Sequence, residues 1–390
     1  MDDLVSQIKT LAAGADDSQK SEMVNTLRNL ASSLEPPRES MERIAYSPLQ
    51  LFAAKIAKDL QVLQRLAGSS APLSLEQLAE PSSADLPLLQ RLMRYLASVG
   101  MVDEPSTRVF AANNVTKALG SSSGLSYIDV FYEIASPSFY ELPKFLASTK
   151  YKNPTGGSKV AFQQAFNFEG NFFSFLDKHR DKLAMYDRHM QLQRNSPTDW
   201  PKLLSIVKEV ESTDPKEFFF VDIGGGSGRQ VEELRKQYPE AKGRFILQDL
   251  GSVIAMARNV PEKDKFCYNV MEPQHLTDAR FYYLRGVLHV FPDQMCEKVL
   301  RNQVEAMGPD SKLLIEELVL PEAHVDWSAT CIDLLMLSSF ASQERTRTQW
   351  VRLLEKSGLK VVDIHAYGTG PYQSLIVTVK TGYGPDSLYT

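Results

Sequence analysis

The sequence predicts an α/β protein with a mostly helical N-terminal domain. Three observations predict it. Apolar residues in the first third recur at helical spacing, short apolar strands alternate with helices from Phe218 onward, and a glycine run follows the first of those strands. At 390 residues the chain exceeds the roughly 250 to 300 at which a single core stops growing, so more than one domain is expected.

Leu4, Val5, Ile8 and Leu11, then Met23, Val24, Leu27 and Leu30, mark the first helices, and Leu51 to Leu66 continues the pattern until Gly68-Ser69-Ser70. Ser74 with Gln77 forms a capping box for a short helix ending near Glu80. Asp85 caps the next helix, whose face carries Leu86, Leu89, Leu92, Met93 and Leu96 and which stops at Gly100. Met101-Val102 and Val109-Phe110 flank the turn-rich Asp103-Glu104-Pro105-Ser106, which suggests a hairpin and, with the helices, a winged helix. Residues 121–200 read as a helical connector whose Phe162, Phe166, Phe168, Phe172, Phe173 and Phe175 are mostly core. Beyond it, strands are expected at Phe218 to Ile223, Arg244 to Gln248, Phe281 to Leu284, Leu313 to Glu317, near Leu359 to Ile364 and near Ser374 to Val379, arranged as a parallel sheet.

Composition narrows the function. With 43 Lys and Arg against 48 Asp and Glu, 43% hydrophobic and 23% charged residues, the chain is neither disordered nor fibrous. No run of 18 apolar residues exists to span a bilayer and the start, Met1-Asp2-Asp3, is acidic, so a cytosolic protein is expected. Cys267, Cys296 and Cys331 fit neither a disulfide framework nor a metal knuckle and read as free thiols. A winged helix invites a nucleic-acid reading, but Asp85 to Phe110 holds three basic residues (Arg91, Arg94, Arg108) against three acidic ones (Asp85, Asp103, Glu104). That face has no electrostatic footprint for a phosphate backbone, and the apolar N-terminal helices point instead to a second copy of the chain, a homodimer.

Glu217 to Leu234 reads as a buried strand, a glycine turn and a helix start, with Asp222 two residues ahead of Gly224, Gly225, Gly226 and Gly228. Glycine is needed where backbone turns sharply against a ligand. The third glycine of a dinucleotide fingerprint would fall on Arg229, and the lysine of a Walker loop is absent. Asp249, after the next strand, is placed to accept both hydroxyls of a ribose, so an adenosine-containing cofactor other than NAD is expected. His289 follows the strand at Phe281 on a loop. An imidazole there can act as a general base toward a hydroxyl, provided a carboxylate fixes its other nitrogen. Glu317, at a strand end, and Glu344, ahead of a helix capped by Thr346 and Gln349, are placed to do so.

Residues from about 40 to 380 resemble the fungal and plant small-molecule O-methyltransferases, S-adenosylmethionine-dependent enzymes in which a dimerising winged-helix region precedes a Rossmann-like methyltransferase sheet. Asp222 to Gly228 matches the cofactor loop and Asp249-Leu250 the ribose motif. The resemblance implies that Asn269-Val270 meets adenine, that Arg285 is a basic cofactor contact, that His289 is the catalytic base supported by Glu317 and Glu344, and that Met190 and Met336 pack on an aromatic acceptor, with no metal. It divides the chain into a dimerisation domain (1–120), a connector lining the substrate pocket (121–200) and a cofactor-binding catalytic domain (201–390). Two positions depart from the family: Val290 and Asn269 stand where Asp is usual. The expected activity is methylation of a hydroxyl on an aromatic or polyketide-like metabolite. The alternatives are a pericyclase of the same architecture, in which no methyl moves, and a cofactor-sensing winged-helix regulator.

Overall fold

The structure, a computed structural model, describes residues 2–155, 159–193, 216–367 and 372–382, the side chains of Asp17 and Ser18 excepted. The last expected connector residues, 194–200, and the first expected residues of the sheet domain, 201–215, lie outside them. The chain forms two compact units, Met1–Glu133 with Arg188–Gln193, and Ile134–Asp187 with Arg194–Thr390.

The first unit begins with α1 (Asp2–Gly14), α2 (Asp17–Leu34) and α3 (Pro37–Tyr46). Asp16 and Gln19 cap α2 reciprocally, and Pro37 opens α3 where no backbone N–H is needed. Neither α1 nor α3 buries a residue. The apolar run from Leu51 to Leu66 is divided between α4 (Pro48–Asp59) and α5 (Val62–Gly68), because Gln61 takes a left-handed φ of 59° that ends one helix and starts the next. Beyond β1 (Leu73–Ser74), the expected caps form: Ser74 accepts the N–H of Gln77 at the start of α6 (Leu75–Ala79), and Asp85 that of Leu88 at the start of α7 (Leu86–Ser98). Leu89, Met93 and Leu96 of α7 pack with Leu63, Leu66, Leu75 and Phe110 in the core of this unit.

The wing differs from expectation in register. Asp103–Ser106 is strand β2, not the turn, and pairs with β3 (Val109–Ala111), while the reversal falls at Arg108 with φ 60°. All four residues of β2 are exposed at the sheet edge, where polar side chains and Pro105 are tolerated, so the strand carries no apolar signal.

In the second unit, helices Ser136–Ser148, Ala161–Phe166 and Phe172–Lys178 and the first part of Arg180–Gln193 gather around the expected phenylalanines. Phe162 meets Phe166, Phe172 and Phe175 with ring centroids 4.7 to 5.2 Å apart. The main sheet comprises β4 (Phe218–Ile223), β5 (Arg244–Asp249), β6 (Lys265–Cys267), β7 (Phe281–Arg285), β8 (Lys312–Leu320), β10 (Leu359–Ala366) and β11 (Gln373–Lys380), with the short β9 (Arg345–Thr346) paired to β8. Its order is β10-β11-β8-β7-β4-β5-β6.

The five strands from β8 to β6 are parallel, as expected, but β11 runs antiparallel to both β8 and β10. The expectation of a wholly parallel sheet is therefore corrected. Only residues 367–372 separate β10 from β11, too few for the dozen or more that a parallel crossover needs. Because β5 lies on one side of β4 and β7 on the other, strand order reverses at β4, and the carboxyl ends there form the crevice in which open sheets bind ligands. Among the described residues no helix is long and apolar enough to cross a membrane.

Candidate active site

The glycine loop leaves the end of β4 at that reversal. Gly224, Gly226 and Gly228 take φ values of 71°, 61° and 78°, which side chains with a Cβ rarely adopt. Space is short as well: a Cβ on Gly225 would lie 2.4 Å from Asp222 Oδ2, and one on Gly228 would lie 2.4 Å from Val260 Cγ2. Asp222, 2% exposed, sits directly beneath the turn. Gly228 caps the helix Arg229–Gln237, so the loop delivers a helix start to the crevice.

Asp249 closes the loop from the neighbouring strand. Its Oδ2 accepts the N–H of Gly226 at 2.8 Å and its Oδ1 that of Leu250 at 2.7 Å. The loop thus orients the acid at the carboxyl end of β5, where a ribose would meet it. This cradle fits a nucleoside. Asn269 is exposed and its Oδ1 accepts the N–H of Met271 at 3.1 Å, shaping the turn in which Val270 is half-buried. The carbonyl of Val270 accepts from Asn302 Nδ2 at 3.0 Å.

His289 stands on a one-turn 3-10 helix, Leu288–Val290, after β7. Its Nδ1 lies 2.8 Å from Glu344 Oε1 and 3.9 Å from Glu317 Oε2. Both glutamates are buried, at 3% and 4% exposure. Glu317 Oε1 accepts the backbone N–H groups of Val287, Leu288 and His289 at 3.0, 2.8 and 3.3 Å, so one carboxylate oxygen holds the turn that carries the ring. Burial pushes the Glu317 carboxyl above the usual carboxylate range, while His289 beside it and these N–H donors pull the other way. Glu344 is itself fixed, its N–H donating to Asp333 Oδ1 at 2.7 Å. One ligand-type atom from each of His289, Glu317 and Glu344 lies within 4.8 Å of the others, a set that could hold a cation. Yet His289 Nδ1 is hydrogen-bonded to Glu344, and Glu317 Oε1 to three amides, an arrangement suited to handling a proton.

Sequence reasoning missed the residue next to Glu317. Side chains alternate across β8, so Glu316 faces the opposite side of the sheet, 1% exposed. There it pairs with Arg285, Nε to Oε1 at 2.8 Å, accepts a hydrogen bond from the Tyr283 hydroxyl and another from Gln373 Nε2 at 3.1 Å. Arg285, expected as a cofactor contact, thus has its Nε engaged by a buried carboxylate; burial opposes its charge but the neighbouring Glu316 raises its pKa. The strand expected to end at Glu317 runs on to Leu320, so the two glutamates lie within β8, and a charged pair inside a sheet must find a partner on each face. Of the two methionines, Met336 is 5% exposed on the helix Trp327–Phe340, whereas Met190 is half-buried in the segment Arg188–Gln193 of the first unit.

Comparison with known proteins agrees with this geometry. Residues 152–360 match the O-methyltransferase domain model and residues 49–122 the O-methyltransferase dimerisation domain model. The O-methyltransferase ucdC of Aspergillus ustus is 45% identical over 98% of this chain and 100% of its own length. Demethylsterigmatocystin 6-O-methyltransferase of Aspergillus flavus is 31% identical over 97% and 98%. Among solved structures, LepI in complex with SAM superposes with a TM-score of 0.89 at 31% identity, covering 97% of this chain and 98% of that one. A structure described as a pericyclic reaction enzyme gives the same values. The glycine cradle, the histidine between two buried glutamates and these matches together place the chain in the O-methyltransferase family.

Proposed function

We propose that the chain is an S-adenosylmethionine-dependent O-methyltransferase that acts, as a cytosolic homodimer, on a hydroxyl of an aromatic or polyketide-like secondary metabolite, with His289 as general base. The observation that carries the reading is the 2.8 Å contact between His289 Nδ1 and the buried Glu344. That contact favours the proton on Nδ1 and so puts the basic lone pair on Nε2. When bound, S-adenosylmethionine supplies an electrophilic sulfonium methyl. The chain's part is to present the acceptor oxygen and remove its proton. A phenol has an ordinary pKa of about 10 and an imidazole about 6.5, so proton removal must coincide with attack, and a carboxylate on Nδ1 stabilises the imidazolium that forms. Glu344 does this in direct contact; Glu317 holds the turn with Oε1 and adds its charge from Oε2, 3.9 Å from Nδ1. Asp222, Gly224, Gly225, Gly226, Gly228, Asp249 and Leu250 form the nucleoside cradle, Asn269, Val270 and Arg285 border it, and Met336 offers thioether surface to an aromatic acceptor.

A second reading is favoured by the likeness to a pericyclic reaction enzyme. On that reading the same pocket guides a rearrangement and no methyl moves. Incubation with the pathway intermediate and S-adenosylmethionine carrying a labelled methyl distinguishes them. Labelled product with stoichiometric S-adenosylhomocysteine is expected; an unlabelled isomer would establish the second reading. His289→Ala should lower methyl transfer about 10²- to 10⁴-fold with cofactor affinity nearly unchanged, because the ring serves proton transfer and not nucleoside recognition. Unaltered turnover in that variant would remove His289 from the mechanism.

A further inference from the structure

The carboxylates account for the ring of His289 and the N–H groups of its turn. The carbonyls of the same turn are held by a different residue. Arg345 is 0% exposed, and its guanidinium faces back under the turn. Nη1 donates to the carbonyl of Leu288 at 3.3 Å and Nη2 to that of Phe291 at 2.9 Å, the two backbone oxygens that bracket His289 and Val290. Nε and Nη2 both reach Asp293 Oδ1, at 3.0 and 2.7 Å. Two further donors converge on those oxygens: the Cys296 thiol at 3.2 Å from each, and Ser342 Oγ at 2.8 Å from that of Phe291. Burial pushes the Cys296 thiol up to about 12, so it stays protonated and able to donate.

The clamp is referenced to the strand that carries Glu317. Arg345 belongs to β9, where it pairs with Val319 of β8. Its guanidinium lies 5.1 Å from the ring centroid of Trp350, whose Nε1 donates to the carbonyl of Leu318 at 2.9 Å. Residues 317, 318 and 319 of one strand therefore fix, in turn, the turn's amides, the aromatic plate and the arginine. Consecutive residues 344 and 345 then grip the histidine ring and the main chain on either side of it, respectively.

We propose that Arg345 is a positioning residue for the base: by holding the carbonyls of Leu288 and Phe291 it sets the distance between His289 Nδ1 and Glu344. A buried guanidinium costs desolvation that an apolar side chain would not, and its five donors in a rigid plane suit it to several fixed acceptors at once. The inference rests on reading His289 as the base, so its test needs a readout that does not depend on turnover.

Arg345→Lys retains the charge but loses the fork. In this variant methyl transfer should fall about tenfold or more, while affinity for S-adenosylhomocysteine, measured by calorimetry, stays within about threefold. The second readout is nuclear magnetic resonance of ¹⁵N-histidine-labelled protein. In the wild type the Nδ1–H proton of His289 should resonate far downfield, as a proton held against a carboxylate, and in Arg345→Lys it should move upfield and exchange faster with water. An unchanged resonance and pH titration of His289 in a folded Arg345→Lys protein would overturn the proposal. Should that variant not fold, Arg345→Met decides, since a long apolar chain fills the buried site without donors and the Asp293 carboxylate it leaves unpaired is half-exposed; an unchanged His289 resonance there would overturn it equally. If the wild type transfers no methyl to any acceptor, the base assignment fails, but the resonance still reports whether Arg345 holds the ring.

Discussion

Glu317 shows how a single residue can serve activity against stability. Its carboxyl lies above the ordinary range because burial disfavours the charge. For an acid so shifted, the contribution to folding is fully present below the unfolded pKa, given as 4.5, and is lost as pH rises through the folded value. Above the folded value the ionised group therefore works against the fold, offset by the three backbone N–H groups on Oε1. Glu317→Gln keeps an oxygen acceptor for those amides and removes the charge. Urea unfolding at pH 8 should show the variant at least as stable as the wild type, whereas turnover should fall, since an amide no longer stabilises the imidazolium. A loss of more than about 2 kcal/mol at pH 8 with turnover intact would reverse the assignment, making the carboxylate structural.

At the scale of elements, the buried glutamines beside the cradle yield a sharper prediction. Residues 268–280 contain no helix or strand, yet they carry Asn269 and Val270. Gln274 holds them in place. Its amide exchanges two hydrogen bonds with that of Gln248, at 2.9 and 2.7 Å, accepts from the N–H of Leu276 at 3.0 Å and donates to Gln303 Oε1 at 3.2 Å. Gln303 continues to the hydroxyl of Tyr268 at 3.1 Å. Gln274→Leu would strand several buried polar groups at about 1 to 3 kcal/mol each, less what relaxation and water recover. Stability by urea unfolding should drop by roughly 2 to 4 kcal/mol, and the double variant Gln248→Leu with Gln274→Leu should recover part of that loss, because the reciprocal pair is then removed together. Strict additivity of the two single effects would show that the pair is not coupled. None of this was legible in the sequence, where glutamine has no period and no motif. What was legible is what local chemistry dictates. The caps at Ser74, Asp85 and Thr346 and the strands at Phe218 and Phe281 appear where the pattern put them. The motif residues His289, Glu317 and Glu344 also meet as expected. The contacts of Arg345 with the histidine turn were hidden, because they go to backbone carbonyls 54 and 57 positions away, which have no sequence identity to recognise.

For the whole molecule, the first three helices pose the open question. Leu4, Leu11, Leu30, Leu34, Met41, Ile44 and Tyr46 are between 51% and 74% exposed, and α1 and α3 bury nothing within the chain. Singly exposed apolar residues are ordinary, but this many large ones on three consecutive helices point to a surface that a partner covers. These helices precede residues 49–122, which match an O-methyltransferase dimerisation domain, and a second copy is the cover expected for them. A twofold pairing presents the same patch on both partners, and a stable interface needs upward of about 1,000 Å² in total, within reach of three helices of 13, 18 and 10 residues. Light scattering at micromolar concentration should therefore give twice the chain mass for the 390-residue chain. Removing residues 1–46 should weaken that dimer at least tenfold or leave a chain that aggregates through what remains exposed. A full-length monomer at micromolar concentration would leave the apolar face of α1 to α3 without a second copy to cover it, and would end the homodimer reading.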